Sequence, residues 1–287
     1  MSDSGYADTQ PRMGFFTDTS VCIGCKACEV ACKEWNLVPA SGSSGDGGMD
    51  LLGLSYDNTG DLGANSWRHV AFIEQQVPAS RVDNLGMPTI GAPEQEDEAG
   101  VRWLMSSDVC KHCTHAACLD VCPTGALFRT EFDTVVVQPD ICNGCGYCVP
   151  ACPYGVIEKR EDDGRAFKCT LCYDRIGDGL EPACAKACPT DSIQYGELDV
   201  LRQRAEQRKQ ELHADGVTEA RLYGENPDDG VGGTGAFFLL LDEPEVYGLP
   251  PDPVVTTRDL PGMWRRAGAA ALGVAAAVVA SFVGARR

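Results

Sequence analysis

The sequence predicts an α+β fold that is rich in loops, is built from a duplicated unit and ends in one transmembrane helix. Three observations predict this class. Sixteen cysteines fall into four groups of similar spacing. A template of Cys-Pro, two turn residues, a small residue and then Leu or Ile begins at Cys122, Cys152 and Cys188, as expected of repeated units. The chain ends in a long uncharged segment between two pairs of arginines, a pattern typical of a membrane span.

The third cysteine group has the most informative spacing. Cys142, Cys145 and Cys148 are three residues apart, and Cys152 and Pro153 follow. In two-cluster ferredoxins, three thiolates spaced in this way bind one cluster and the fourth binds its neighbour. Pro153 ends the turn that carries Cys152, because proline has no N–H with which to continue a helix. The spacing therefore predicts a ferredoxin-like unit that holds 4Fe-4S clusters.

The other three groups vary this spacing. The first lacks the proline, the second has two extra residues in its second gap, and the fourth contains a long insertion. Their cysteines are Cys22, Cys25, Cys28 and Cys32 in the first group, Cys110, Cys113, Cys118 and Cys122 in the second, and Cys169, Cys172, Cys184 and Cys188 in the fourth. Because four groups of four use all sixteen cysteines, the sequence predicts four 4Fe-4S clusters.

Two other uses of the cysteines compete with iron–sulfur clusters. Disulfides suit a secreted scaffold, but Cys-x-x-Cys pairs bridge poorly to each other, and the polar residues 1–14 contain no apolar run typical of a signal peptide. Zinc also takes sets of four cysteines, but its sites usually pair two separated Cys-x-x-Cys motifs and need no third thiol three residues on. Iron–sulfur clusters are therefore favoured over both.

Composition and motifs exclude several partners. A net charge of −18 argues against a nucleic-acid partner. The segment Gly230–Gly235 fits the pattern G-x-G-x-x-G, but it precedes a strand-like run where a dinucleotide site requires a helix, so no nucleotide is predicted. His112 and His115 lie within the second cysteine group, where four thiols already supply the ligands; we expect them to tune the cluster or to lie on its loop.

Secondary structure is predicted from local patterns. Apolar residues bounded by turn residues predict short strands around the cysteine groups. Two hairpins are predicted, with turns near Asp133 and at Asp163-Gly164. A polar helix is predicted with Leu201, Ala205 and Leu212 facing inward. The predicted elements are strands at 14–17, 66–77, 101–105 and 237–241, hairpins at 128–137 and 156–167, a helix at 199–215, and loops that include the glycine- and serine-rich residues 39–63 and the acidic residues 94–98.

The C-terminal segment predicts a single membrane span. Ala267–Ala285 is nineteen residues long without a charge, and Trp264 precedes it. At about 1.5 Å per residue it nearly crosses a hydrocarbon core of about 30 Å. Ala269, Gly273 and Ala277 share one face, which favours close packing against another membrane helix. The alternative is an alanine-rich helix buried in the soluble body.

The chain resembles the iron–sulfur (beta) subunits of membrane-bound formate dehydrogenases, which are electron-transfer subunits of molybdopterin oxidoreductases. The resemblance covers most of the chain and includes Cys184-Ala-Lys-Ala-Cys-Pro-Thr190. Two further motifs lie outside the cluster groups and separate this branch from relatives that serve nitrate, polysulfide or hydrogen: Gly230-Val-Gly-Gly-Thr234 and Tyr247-Gly-Leu-Pro-Pro-Asp-Pro253.

The resemblance implies a non-catalytic electron-transfer subunit. Formate would be oxidised by a molybdopterin catalytic (alpha) subunit, and electrons would pass through this chain to a membrane cytochrome b (gamma) subunit or another quinone-reducing partner. The chain would contact membrane lipid through its C-terminal helix, as a single-pass protein of the cytoplasmic membrane. The family favours the outer, periplasmic face for the soluble body.

The resemblance also implies which groups share clusters. The implied ligand sets are Cys22, Cys25, Cys28 and Cys188 (cluster 1), Cys169, Cys172, Cys184 and Cys32 (cluster 2), Cys110, Cys113, Cys118 and Cys152 (cluster 3), and Cys142, Cys145, Cys148 and Cys122 (cluster 4). The sequence itself supports pairing the second group with the third, because they are adjacent. The pairing of the first with the fourth rests on the family.

Domain boundaries follow from these groups. Residues 1–109 carry the first group with its loop insertion and are expected to pack with 154–200. Residues 110–153 form the second two-cluster unit, and 154–198 carry the fourth group. Residues 199–262 supply a helix, a strand and an extended linker, and 263–287 form the transmembrane anchor.

Three rival functions stay open on sequence grounds. The same electron-transfer role could serve a hydrogenase, or a nitrate or sulfur-compound reductase. A membrane-tethered structural zinc protein is a second interpretation. The third is an independent iron–sulfur enzyme, for which no catalytic constellation is visible in the sequence.

Overall fold

The computed structural model describes residues 10–39, 56–57, 59–78 and 99–284. Most of the predicted loop at 39–63 and all of the acidic run at 94–98 lie outside these described residues. The strands are β1 (Met13–Asp18), β2 (Arg68–Pro78), β3 (Ala99–Val109), β4 (Leu127–Arg129), β5 (Val135–Val137), β6 (Glu158–Lys159), β7 (Ala166–Phe167), β8 (Ile193–Glu197), β9 (Arg221–Tyr223) and β10 (Ala236–Leu240). The helices are α1 (Ala27–Asn36), α2 (Ala117–Asp120), α3 (Cys148–Ala151), α4 (Tyr173–Gly177), α5 (Ala183–Lys186), α6 (Leu198–Ala214) and α7 (Leu260–Gly284).

A four-stranded mixed sheet joins the two ends of the soluble body. Its strand order is β8-β1-β10-β9, with β1 parallel to β10 and the other two pairs antiparallel. One face packs against α6, where Phe16 stacks on Phe237 with ring centroids 5.3 Å apart and Leu201 is fully buried. The polar helix predicted at 199–215 is confirmed, because its apolar residues repeat on one side and bury against this sheet.

The longest strand pair is the hairpin of β2 and β3. Eleven residue pairs run from Arg68 opposite Val109 to Pro78 opposite Ala99. Its base is buried, with Val70 and Leu104 in the central core beside the first and fourth cysteine groups. The hairpin therefore begins in the core, next to the thiols, and the strands predicted at 66–77 and 101–105 are confirmed.

Both predicted short hairpins are confirmed. β4 pairs with β5 across a turn in which Asp133 is left-handed (φ 59°), and β6 pairs with β7 across Gly164 (φ 74°). The Cys-Pro template also has one backbone conformation in its three copies. Its fourth position is left-handed in each copy, at Gly125 (φ 68°), Gly155 (φ 65°) and Asp191 (φ 52°). Each turn leads into a strand, namely β4, β6 or β8.

The C-terminal helix α7 projects from the body. Within it, Gly262–Phe282 is long and apolar enough to cross a membrane, and it has no buried part. Its 25 residues correspond to about 37 Å at about 1.5 Å per residue. The alternative of an alanine-rich helix buried in the body is wrong for this segment, since Leu272 and Phe282 are more than two-thirds exposed.

Candidate metal centres

Tight loops present the cysteines, and left-handed residues shape these loops. In the third group, Gly144 has φ 70°, and a Cβ atom there would lie 2.5 Å from the carbonyl oxygen of Gly164. In the first group, Gly24 has φ 65° and packs against Phe72 and Met105. A side chain at either glycine would push the loop away from the hairpin behind it, so glycine is required at both places.

Thiols of the first and fourth groups lie together. Besides burial, the Cys188 thiolate raises the pKa of Cys22. Burial also raises the pKa of Cys32, and Cys169, Cys184 and Cys172 raise it further. The amide of Asn36 lies 3.7 Å from both Cys32 Sγ and Cys172 Sγ. The structure thus brings each of these thiols beside members of the set implied by the resemblance.

The second and third groups lie together in the same way. Burial raises the pKa of Cys113, followed by the charges of Cys110, Cys118 and Cys152. These four cysteines line one internal cavity. Burial raises the pKa of Cys148 to about 11, with contributions from the charges of Cys142, Cys122 and Cys145.

Electrostatic interactions also act between thiols that the resemblance assigns to different clusters. The charge of Cys184 acts on Cys28, that of Cys110 acts on Cys169, and that of Cys148 acts on Cys118. Seven of the sixteen cysteines are buried: Cys28, Cys32, Cys110, Cys148, Cys169, Cys172 and Cys184. Cys25 and Cys145 are exposed.

Hydrogen-bond donors surround the sulfur atoms. Leu171 N donates to Cys169 Sγ at 3.3 Å, and Ala166 N donates to Cys142 Sγ at 3.5 Å. Partial burial alone would raise the pKa of Cys122, but hydrogen bonds from backbone N–H groups, that of Leu127 the largest, lower it. Donors aimed at sulfur stabilise negative charge there, as at protein-bound clusters.

Three buried cations accompany the thiols. Arg68 is 1% exposed, and its Nη2 lies 3.2 Å from Cys184 Sγ. Lys168 is also buried, donates to the carbonyl oxygens of Val135 and Cys169, and interacts with the thiolate of Cys110. Lys111 differs because Asp108 neutralises it. Within the described residues neither Arg68 nor Lys168 pairs with a carboxylate, so both depend on negative charge at the cysteines.

A buried histidine nitrogen without a hydrogen-bond partner indicates whether a cluster fits beside the second cysteine group. His112 Nδ1 accepts a hydrogen bond from Val135 N at 3.1 Å, so the proton of the neutral ring is on Nε2. Burial keeps the ring neutral by lowering its pKa well below the ordinary value. Nε2 is buried without a partner among the described residues, and His112 lines the same cavity as Cys110, Cys113, Cys118 and Cys152. An anionic cluster in that cavity would supply the missing acceptor.

No single-ion site is found in the part of the chain that the structure describes. Among the described residues, no three Cys, His, Asp or Glu side chains converge closely enough to hold one metal ion. A zinc site needs such convergence, because its four ligands surround one atom. A cubane keeps its ligands apart by the width of the cluster, so a 4Fe-4S cluster does not require this convergence.

Two of the thiols, Cys28 and Cys118, would be protonated at neutral pH without metal. Burial raises the pKa of Cys28 to about 11 and that of Cys118 to about 12. Ligands must be deprotonated to bind metal, so cluster assembly releases protons and offsets the cost of burying these groups.

The glycine-rich segment has a structural partner that the sequence did not indicate. Residues 230–235 pack on the loop that carries the second cysteine group. There, Thr114 N donates to Gly233 O at 3.0 Å and His115 N donates to Val231 O at 2.8 Å. A Cβ atom on Gly232 would lie 2.5 Å from His115. The strand β10 follows directly. This segment therefore supports a cysteine loop.

The comparisons with known proteins agree with this geometry. Two family models, each described as a 4Fe-4S dicluster domain, match residues 21–126 and 101–198. The chain is 38% identical over 281 residues to the nitrate-inducible formate dehydrogenase iron-sulfur subunit of Escherichia coli, which covers 96% of this chain and 84% of that protein. It is also 38% identical over 252 residues to the formate dehydrogenase iron-sulfur subunit of Haemophilus influenzae, covering 86% of this chain and 72% of that protein.

A more distant relative matches a shorter part of the chain. The B subunit of the anaerobic dimethyl sulfoxide reductase of Escherichia coli is 34% identical over 194 residues, covering 67% of this chain and 77% of that protein. Two dicluster domains and sixteen cysteines together support four 4Fe-4S clusters. Iron–sulfur subunits carry electrons rather than catalyse the reaction of the complex, as the resemblance implies for this chain. The chain belongs to the family of formate dehydrogenase iron–sulfur subunits.

Proposed function

We propose that this chain passes electrons from formate oxidation in a molybdopterin catalytic (alpha) subunit to a membrane cytochrome b (gamma) subunit or another quinone-reducing partner. The observation that carries the proposal is the extent of similarity. Identity of 38% to a formate dehydrogenase iron-sulfur subunit extends over 96% of the chain, beyond the cysteine groups. The dimethyl sulfoxide reductase subunit matches over 67% only.

The ligand sets are part of this proposal. Cluster 1 is bound by Cys22, Cys25, Cys28 and Cys188, cluster 2 by Cys169, Cys172, Cys184 and Cys32, cluster 3 by Cys110, Cys113, Cys118 and Cys152, and cluster 4 by Cys142, Cys145, Cys148 and Cys122. The electrostatic neighbours of Cys22, Cys32, Cys113 and Cys148 support these sets. The first two clusters form one unit, in which 1–109 packs with 154–200, and the other two form a second unit within 110–153. The contact of α1 with α5 and the pairing of β1 with β8 support the first unit.

Electrons pass through the clusters in numerical order. The electrostatic interactions of Cys28 with Cys184, Cys169 with Cys110, and Cys118 with Cys148 support this order, because each acts between a ligand of one cluster and a ligand of the next. The two end clusters each have an exposed ligand where a partner could approach.

Cluster 4 is the exit toward the membrane. The linker before α7 is fixed beside the second cysteine group, where Thr257 Oγ1 donates to Asp120 Oδ2 at 2.6 Å and Val255 packs with Ala117. Asp120 lies midway between Cys118, a ligand of cluster 3, and Cys122, a ligand of cluster 4, so the linker begins at the cluster 3 and cluster 4 end of the series. Cluster 1 then faces the catalytic subunit. The protein is a single-pass protein of the cytoplasmic membrane, with its body on the periplasmic face by analogy with the family.

A second candidate is the same role with another catalytic subunit. The similarity to the B subunit of dimethyl sulfoxide reductase favours a sulfur-compound reductase among these. Hydrogenase and nitrate reductase partners would use the same electron path in principle. The identity of the copurified catalytic subunit distinguishes them.

The test of this function is a purification of the tagged chain from membranes in mild detergent, with formate added and cluster reduction followed by EPR. We expect a large molybdopterin subunit to copurify and formate to reduce the clusters. Clusters that stay oxidised with formate, despite a bound catalytic subunit, would remove formate as the donor while leaving the electron-transfer role intact.

Replacement of Cys145 by serine tests the ligand sets. Because Cys145 is exposed and serves only cluster 4 in the proposal, Cys145→Ser should damage one cluster and leave three. Iron content should fall by about a quarter, in proportion to one of four clusters of one type. Ser43→Cys, which adds a thiol outside the four groups, is the control and should leave iron content unchanged. Iron content that is unaffected by Cys145→Ser would contradict the assignment.

A further inference from the structure

Arg68 is buried at the boundary between the first two ligand sets. It begins β2, is 1% exposed, and has its guanidinium carbon 5.0 Å from the centre of the Phe15 ring. Its Nη2 donates to Cys184 Sγ at 3.2 Å. Its Nη1 lies 3.1 Å from Ser107 O and 3.3 Å from Ser107 Oγ. The hairpin thus holds a guanidinium directly against a thiol of cluster 2.

The same group reaches cluster 1 through one hydroxyl. Ser107 Oγ lies 3.2 Å from Cys28 Sγ. The hydroxyl can accept from Arg68 and donate its own proton to the sulfur, so both contacts are compatible. A continuous series of hydrogen bonds therefore joins Cys28, Ser107, Arg68 and Cys184. Its two ends belong to different proposed clusters.

The charge of Arg68 has no carboxylate to offset it among the described residues. A buried, unpaired guanidinium would be strongly destabilising. Its compensation comes from the sulfur side, where Cys184, Cys28 and Cys169 act on it. A 4Fe-4S cluster with four thiolates is anionic in both oxidation states and gains one further negative charge on reduction. A fixed positive charge in a dry site therefore stabilises the reduced form more than the oxidised form.

We propose that Arg68 is a positioning residue that raises the reduction potentials of clusters 1 and 2 together, by holding one guanidinium between a ligand of each. This inference rests on the ligand sets of the proposed function. It gives a residue outside the cysteine motifs a role in setting the potentials along the electron path. With Arg68 in place, the clusters nearest the entry end accept electrons more readily, which favours flow into the chain.

The test is a potentiometric titration of the full-length chain with its bound partners in mild detergent, using dithionite and EPR. In Arg68→Gln, at least a tenfold lower ratio of reduced to oxidised cluster is expected for two of the four clusters at a fixed applied potential. This ratio corresponds to a fall of about 59 mV in the reduction potential of a one-electron couple. The other two should be unchanged. Arg68→Lys, which retains the charge, should restore most of the ratio.

Arg102→Gln is the matched control. Arg102 lies on β3 of the same hairpin, but it pairs with Asp242 at 3.4 Å and with Leu241 O at 2.9 Å, away from the thiols. Removing its charge should leave all four reductions unchanged. Equal shifts in Arg68→Gln and Arg102→Gln, or no shift in Arg68→Gln with all iron retained, would overturn the proposal.

Ser107→Ala tests the link between Arg68 and cluster 1 even if Arg68→Gln does not assemble its clusters. This substitution keeps the guanidinium but removes the hydrogen bond to Cys28. The reduction potential of cluster 1 should therefore fall, with a less than tenfold change in the ratio of reduced to oxidised cluster, while that of cluster 2 stays unchanged. Four unchanged reductions in Ser107→Ala would contradict the proposed route from Arg68 to cluster 1. Because the titration uses no formate, its outcome is independent of whether formate is the physiological donor.

Discussion

Removal of the iron is expected to unfold most of the soluble body. Metal binding at a structural site of thiolates is worth about 10–16 kcal/mol in small zinc domains. A whole domain is stable by only about 5–15 kcal/mol. Four clusters that each join distant parts of the chain therefore exceed the stability that the protein could retain without them. The buried charges of Arg68 and Lys168 add to the loss, because both would then lack compensation.

One part of the body has a core that is independent of iron. The group packed between α6 and the sheet, which includes Phe16 and Phe237, contains no cysteine. The central core does contain cysteines, among them Cys28 and Cys184. The free energy of unfolding of the iron-free chain is therefore expected to fall to zero or below, with some helical signal from α6 surviving.

Anaerobic extraction of the iron, followed by circular dichroism and thermal unfolding, measures this effect. The cooperative transition of the iron-loaded chain should disappear. A sample treated identically with a chelator that does not extract the clusters is the control. An iron-free chain that kept a cooperative transition within a few degrees of the loaded one would show that the clusters are dispensable for folding.

Local chemistry made several elements predictable. The two short hairpins were predictable because Asp133 and Gly164 occupy left-handed turn positions that few other residues tolerate. The helix α6 was predictable because Leu201, Ala205 and Leu212 repeat at helical spacing over a long segment. The regular spacing of the cysteines likewise indicated the metal type without any tertiary information.

Long-range packing explains what the sequence did not reveal. The parallel pairing of β1 with β10 joins residues more than 200 positions apart, and no local pattern specifies it. Arg68 lies in a strand where an arginine normally indicates the solvent face. It is buried because negative charge comes from cysteines elsewhere in the chain, Cys184 among them. The partner of the glycine-rich turn was hidden for the same reason.

Deletion of residues 260–287 is expected to release the chain from the membrane with its four clusters intact. The segment Gly262–Phe282 makes no buried contact with the body, so its removal exposes no core. Insertion of a transmembrane helix is effectively irreversible, and the rest of the chain carries a strongly acidic surface with no comparable anchor among the described residues. Fractionation into salt-washed membranes and supernatant, with iron content measured in both, tests this expectation.

A pair of matched substitutions separates the apolar character of α7 from its length. Val274 and Val278 lie one helical turn apart near the middle of the span, and both are exposed. An aspartate at the centre of a span costs about 2.5–3.5 kcal/mol in insertion, so Val274→Asp with Val278→Asp should move most of the chain to the supernatant. Val274→Leu with Val278→Leu keeps the segment apolar and should leave it in the membrane. A truncated chain that stayed in salt-washed membranes would instead mean that the partner subunits hold it there, and the helix would then serve chiefly to pack against them.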